Sequence, residues 1–218
     1  MITNKKQTWT VEGSQTTAPA DRRVCLLAAV ASLSFPGVLL AQGMGMGSGS
    51  GKPSVPPRDL PMRKVPELGL SIWVESQPAW DAQLQTGGGH PSFVVQSPDN
   101  YEPPAVMTYG TWPKQQVTDA QMRVVASTAI QTASKNFGLD AGRAQAIKQV
   151  EATHGVLKGM EGQFVGRQQG QAIDVRIFVG HSSGRFPVAL TIYTLEGKMG
   201  HFAEVVRRAW GRVAYLPA

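Results

Sequence analysis

The chain has 218 residues, 42% hydrophobic and 7% aromatic, and a formal net charge of +6. This is enough for one ordinary core and too little for two large ones. The basic residues are scattered, with Arg207, Arg208 and Arg212 as the one dense group. Neither a basic stripe interleaved with aromatics nor a nucleic-acid module is present, so no nucleic-acid partner is expected.

Residues 1–41 read as an N-terminal extension followed by a secretory signal. Arg22 and Arg23 precede an uncharged apolar run, residues 24–41, that ends at Leu39-Leu40-Ala41. Pro36-Gly37 breaks any helix near the end of that run, which at 18 residues is also at the lower limit for spanning a bilayer. Cleavage is therefore expected, and membrane attachment only if the segment is retained. Removing residues 1–41 deletes four basic and two acidic residues and leaves a net charge of +4. The lone cysteine, Cys25, lies inside the apolar run, so no disulfide can form within the chain and no lipid-bearing cysteine stands at the cut. Residues 42–66, rich in Gly, Ser and Pro, read as a flexible tether. Met44 and Met46 sit on glycine coil with no histidine or cysteine nearby, which does not make a copper site.

The folded domain is expected over residues 67–218. Leu70, Ile72 and Val74 alternate with Ser71, Trp73 and Glu75, the period of a strand with one buried face. Trp80 follows in a turn, Gly87-Gly88-Gly89 forms a loop, and residues 92–96 and 105–109 read as two further strands. A helix then begins at Thr118, whose Gln121 three residues on completes a capping box. Met122, Val125, Ala126, Ala129, Ala133 and Phe137 fall on one face of it, and Gly138 sits where a left-handed cap is expected. Strands are expected at residues 144–152, 155–167, 173–180 and 188–194, with turns at Gln169-Gly170 and Ser183-Gly184. Ile173, Val175, Ile177 and Val179 alternate with Asp174, Arg176 and Phe178, and Phe178 implies that the second face is also partly covered. Phe202, Val205, Val206, Ala209, Trp210 and Val213 make a second amphipathic helix, with the three arginines on its wet side. Hairpins outnumber strand–helix alternations. The fold class is α+β, an antiparallel sheet of six to seven strands packed by two main helices.

The strand at residues 69–76 (GLSIWVES), the turn with Trp80, the short strands SFVVQSPD and AVMTYG, and the run at residues 162–213 together resemble PsbP-like or DcrB-like domains. The resemblance covers about residues 67–216 and is one of order and pattern. It implies a sheet flanked by helices in a fold used mainly for protein–protein binding, as in extrinsic photosystem subunits, a Ran-binding factor and bacterial envelope proteins. It carries over no functional residue, since no motif matches.

The four histidines are His90, His154, His181 and His201. No pair has the i, i+4 spacing of a helical metal site, and no zinc, calcium or P-loop motif is present, so no cofactor is expected. Residues 180–184 (GHSSG) match the nucleophile-elbow pattern with Ser182 at its centre, but a strand rather than a helix is expected to follow. Asp174 and Arg176 share a strand face and are expected to pair. Trp73 and Trp112, with Arg207, Arg208 and Arg212, are the candidate interface residues. These readings converge on an exported periplasmic or envelope protein, not an enzyme, that binds a protein partner as a complex subunit, a secretion accessory or a toxin-immunity partner. The alternatives are a serine hydrolase using Ser182 and a binder of a small apolar ligand or lipid.

Overall fold

The computed structural model describes residues 62–86 and 90–217. The predicted signal segment, residues 42–61 of the predicted tether and the Gly87-Gly88-Gly89 loop lie outside the described residues.

Seven strands form one antiparallel sheet: β3 (Asp81–Gln85), β4 (Ser92–Gln96), β5 (Ala105–Thr111), β6 (Gln149–His154), β7 (Leu157–Gln168), β8 (Gln171–His181) and β9 (Val188–Leu195). Their order across the sheet is β3-β4-β5-β9-β8-β7-β6. The chain makes one meander outward to β5 and crosses over to the far edge. A second meander returns to set β9 against β5, from Ala105↔Thr194 to Thr111↔Val188. The crossover contains helix α1 (Asp119–Lys135) and the short helix α2 (Ala141–Gln145).

The sheet is covered on both faces. On one, Met122, Ala126, Ala129, Ile130 and Ala133 of α1 pack on Ile173, Val175, Ile177 and Val179 of β8. On the other, Phe178, Leu190 and Ile192 meet Val205, Val206, Ala209 and Trp210 of helix α3 (Ala203–Gly211), preceded by a 3-10 turn at Met199–Phe202. A small sheet closes this second layer, in the order β1 (Met62–Val65), β2 (Leu70–Trp73) and β10 (Ala214–Tyr215). Central strand β9 is therefore buried at every residue from Val188 to Thr194. Each large apolar side chain enclosed this way contributes about 1.5–3 kcal/mol. Phe178, with no exposure at all, belongs to the α3 side as its place in the alternation predicted.

The expected α+β class holds, and several elements differ in extent. Residues 62–66, read as the end of the tether, are part of the fold, because Met62–Val65 pair with β2 from Met62↔Trp73 to Val65↔Leu70. Residues 144–152 are not one strand. The Asp140 carboxylate accepts from the Arg143 backbone N–H at 2.9 Å and from its Nε at 2.7 Å, and this cap starts α2, so β6 begins only at Gln149. Strand β3, which the sequence showed as turn and loop, follows a Trp80 that is buried at the edge of Tyr101 and Phe202. The Gln169-Gly170 turn forms as expected, with φ of 48° and 82°, the left-handed pair of a two-residue hairpin.

Candidate functional site

Helix α1 starts as the capping box requires. Gln121 Oε1 accepts from the Thr118 backbone N–H at 3.1 Å and from its hydroxyl at 2.9 Å. This places Asp119 in the first turn, above the end of β8. Asp119 Oδ1 lies 3.0 Å from Nε2 of His181, and Ser183 Oγ donates to Asp119 Oδ2 at 3.2 Å. Nδ1 of His181 lies 3.2 Å from the Arg185 carbonyl oxygen. Both ring nitrogens thus lie within hydrogen-bond distance of an oxygen atom.

The sheet beneath is set by register. Thr153 of β6 pairs with Lys158 of β7, which pairs with His181 of β8. The next row of the same face is Glu151, Met160 and Val179. Thr153, Lys158 and His181 of the first row and Glu151 and Met160 of the second line a cleft of about 500 Å³, together with Asp119, Met122 and Arg123 of α1. Val156, Ser182 and Ser183 stand at its rim. Arg123 Nη1 lies 3.7 Å from Glu151 Oε1, with both side chains largely exposed, so this pair is weak. The lining mixes charged and polar side chains with apolar surface from Met122, Val156 and Met160.

The loop carrying Ser182 is a hairpin connection between β8 and β9, as expected, and no helix follows it. It is fastened to the C-terminal residues. The Ser182 backbone N–H donates to the Tyr215 hydroxyl at 3.3 Å, which itself donates to the Phe186 carbonyl at 2.7 Å. Arg185 donates to the Leu216 carbonyl at 3.0 Å, and its guanidinium lies 4.8 Å from the Tyr215 ring centre. A serine nucleophile needs an imidazole nitrogen as its base, with a carboxylate on the other nitrogen. Here the order is reversed: Asp119 stands between Ser183 and His181, and the Arg185 carbonyl takes the second nitrogen.

The other histidines are dispersed. His90 and His201 are exposed. His154 packs edge-on between Phe178 and Trp210, with ring centres 4.7 and 5.1 Å away, and its Nε2 lies 2.9 Å from Glu161 Oε2. The expected Asp174–Arg176 pair does not form. Buried Asp174 accepts the Met199 backbone N–H at 3.1 Å, whereas Arg176 makes two bonds to Glu161, at 2.8 and 2.9 Å. A carboxylate on the neighbouring strand offers Arg176 both oxygens, and one two places away on its own strand does not. Burial alone would raise the Glu161 carboxyl's pKa. The hydrogen bonds from His154 and Arg176 outweigh burial and hold it below the usual glutamate range.

The five candidate interface residues separate. Arg212 stacks on Trp73, with its guanidinium carbon 4.1 Å from the ring centre, and Arg208 bonds Glu75 at 2.9 Å. Exposed Arg207 pairs with Glu204 at 2.8 Å. Trp112 is buried in the α1-side core, so it packs the interior on the opposite side of the sheet. The sequence reading missed Asp119, Arg123, Lys158 and Ser183. Asp119, an acidic residue directly after the Thr118 cap, is the one with a local signal.

The architecture is that of an α+β domain with an antiparallel sheet enclosed between helices. No known family and no curated protein matches the sequence. Solved structures with a similar course include a Bacteroides thetaiotaomicron VPI-5482 protein, 10% identical over 72% of this chain, with a TM-score of 0.48. This chain covers 48% of that protein, about half its length. The PA94 protein of Pseudomonas aeruginosa is 10% identical, with 63% of this chain and 99% of that one covered and a TM-score of 0.43. LpqN of Mycobacterium tuberculosis, involved in cell envelope biogenesis, is 14% identical, with 68% and 83% covered and a TM-score of 0.36.

Proposed function

We propose that this chain is an exported envelope protein of PsbP-like architecture that acts by binding a protein partner rather than by catalysis. Its role is that of a complex subunit, a secretion accessory or a toxin-immunity partner. The reading is carried by the cleft beside β6. Its histidine, aspartate and serine are bonded to one another and its loop is tied to the C-terminal residues, while about 500 Å³ stays open next to an edge strand. Preformed polar recesses beside a free sheet edge suit recognition of another chain. Export is supported by the order of charges and apolar residues in residues 22–41.

The test uses the full chain expressed in a bacterial host, with a photo-crosslinking residue at Val156 on the cleft rim or at exposed Lys198 in a remote turn. A discrete adduct from the Val156 position alone, recovered with the envelope fraction, supports the proposal. A chain retained in the cytosol, or adducts independent of position, overturns it. Ester or peptide turnover that disappears in Ser182→Ala would establish the hydrolase reading instead.

A further inference from the structure

We propose that the outer face of the small sheet rests on an anionic membrane surface, with Lys64 and Arg212 as the cations that meet the lipid headgroups. This goes beyond the binding proposal above and needs nothing from the cleft.

Register defines the face and its charge. Residues paired across an antiparallel sheet point to the same side, so Met62 with Trp73, and Lys64 with Ser71 and Ala214, form one surface. Val65, Leu70 and Ile72 point the other way, into the core. At the end of α3, Arg208 reaches Glu75 and Arg212 lies on Trp73, which extends the same surface. Its three basic groups, Lys64, Arg208 and Arg212, face one acidic group, Glu75, and Arg208 neutralises it at 2.9 Å. Arg207, beside them on α3, is likewise neutralised by Glu204. Neither Lys64 nor Arg212 has an ion pair among the described residues. Lysine and arginine are charged at neutral pH, so this excess of positive charge depends on no histidine.

The spacing of the two cations gives the form of the ligand. Lys64 is on β1 and Arg212 just precedes β10, so they stand on either side of β2, with Cα atoms roughly 12 Å apart by strand spacing and rise. An array of headgroups serves both without drawing either from its place. Half-buried Trp73 between basic neighbours is the combination that suits a bilayer interface. The chain itself favours a membrane over an acidic protein. It enters the fold at Met62, in the Trp73 row, twenty residues after the apolar run that ends at Ala41. That length spans at most roughly 75 Å, so while the run is held in a bilayer this face carries the attachment point. Each cation near an anionic surface strengthens attachment roughly fivefold, a weak contact alone and an effective one on a tethered chain. The cleft opens on the α1 side of the seven-stranded sheet and the small sheet closes the α3 side, so a domain resting this way leaves the cleft free.

The experiment reconstitutes the full chain into vesicles of phosphatidylcholine, alone or mixed equally with phosphatidylglycerol. A photo-crosslinking residue is placed at exposed Ala214 in the face or at Val156 on the cleft rim. The expected result is lipid adducts from Ala214 in the mixed vesicles, several-fold fewer in phosphatidylcholine alone and at high salt, and few from Val156 in either. Lys64→Gln and Arg212→Gln should each lower the Ala214 yield roughly fivefold, and Lys64→Arg should preserve it. Exposed Lys64 makes no ion pair among the described residues, so its variants keep the test sound even if Arg212→Gln loosens Trp73. Equal yields from both vesicle types, equal yields from the two positions, or insensitivity to both glutamine variants overturns the proposal. In cells, an Ala214 adduct to protein instead of lipid replaces the membrane by an acidic partner. A protein adduct from Val156, or its absence, decides the binding proposal separately, whatever Ala214 shows.

Discussion

The carboxylate of Asp119 in the first turn of α1 lies 3.0 Å from Nε2 of His181 at the end of β8, and the histidine is only 3% exposed. This contact joins the crossover helix to the hairpin that follows β8. His181→Ala removes two hydrogen bonds and buried ring contacts and should cost about 2–3 kcal/mol in denaturant unfolding. Asp119→Ala, at an exposed position, should cost about 1 kcal/mol. The double variant should lose less than the sum, because the two share one interaction. Strict additivity would show that the contact carries no coupling energy.

Glu161 governs part of the acid stability. Its carboxyl pKa is depressed in the folded state, so its contribution is present above the unfolded value, about 4.3, and is lost as pH falls through the folded value. Glu161→Gln should cost about 2 kcal/mol at neutral pH, below the range for a fully buried pair because Arg176 retains some solvent contact. The variant's stability should also fall less steeply below pH 4. An unchanged acid limb in chemical unfolding across pH 2–7 would contradict this role.

Tyr215→Phe deletes the hydroxyl that joins the Ser182 N–H to the Phe186 carbonyl while leaving the ring in place. Hydrogen exchange at Ser182, Ser183 and Gly184 should rise several-fold, and global stability should fall by about 1 kcal/mol. Unchanged exchange in this loop would mean that the Arg185–Leu216 bond alone fastens it.

Gly155, at φ of 59°, turns β6 into β7, and a Cβ added there would collide with the Gly211 carbonyl at the end of α3. Gly155→Ala should therefore lose about 2–4 kcal/mol, the sum of backbone strain and displacement of α3. Gly170, at φ of 82°, has open space around it, and Gly170→Ala should lose only about 1 kcal/mol. Equal losses in thermal unfolding would remove the turn–helix contact from the account.

Much of the fold was legible because its signals are local. The Thr118–Gln121 box, the α1 stripe and the alternation through Ile173–Val179 each report a periodicity that one element satisfies alone. Strands β1, β3 and β10 were not legible. They are short, half-exposed and held by partners distant in sequence, as Tyr215 is by Leu70. The Asp174–Arg176 expectation failed for a related reason, since cross-strand geometry outcompeted proximity within one strand.

By itself, the sequence determined the α+β class, the main hairpins and the two faces of β8, because burial periodicity is written along each segment. The expected single core is instead two clusters, one on each face of the sheet. Tertiary structure alone decided which charges meet. It tied His181 to Asp119 instead of to a serine, gave Arg176 to Glu161, stacked Arg212 on Trp73 and left Lys158 facing the cleft. Ion pairs and clefts depend on register and on the crossover that lays α1 over β6–β8, and these are properties of strands brought together from distant parts of the chain.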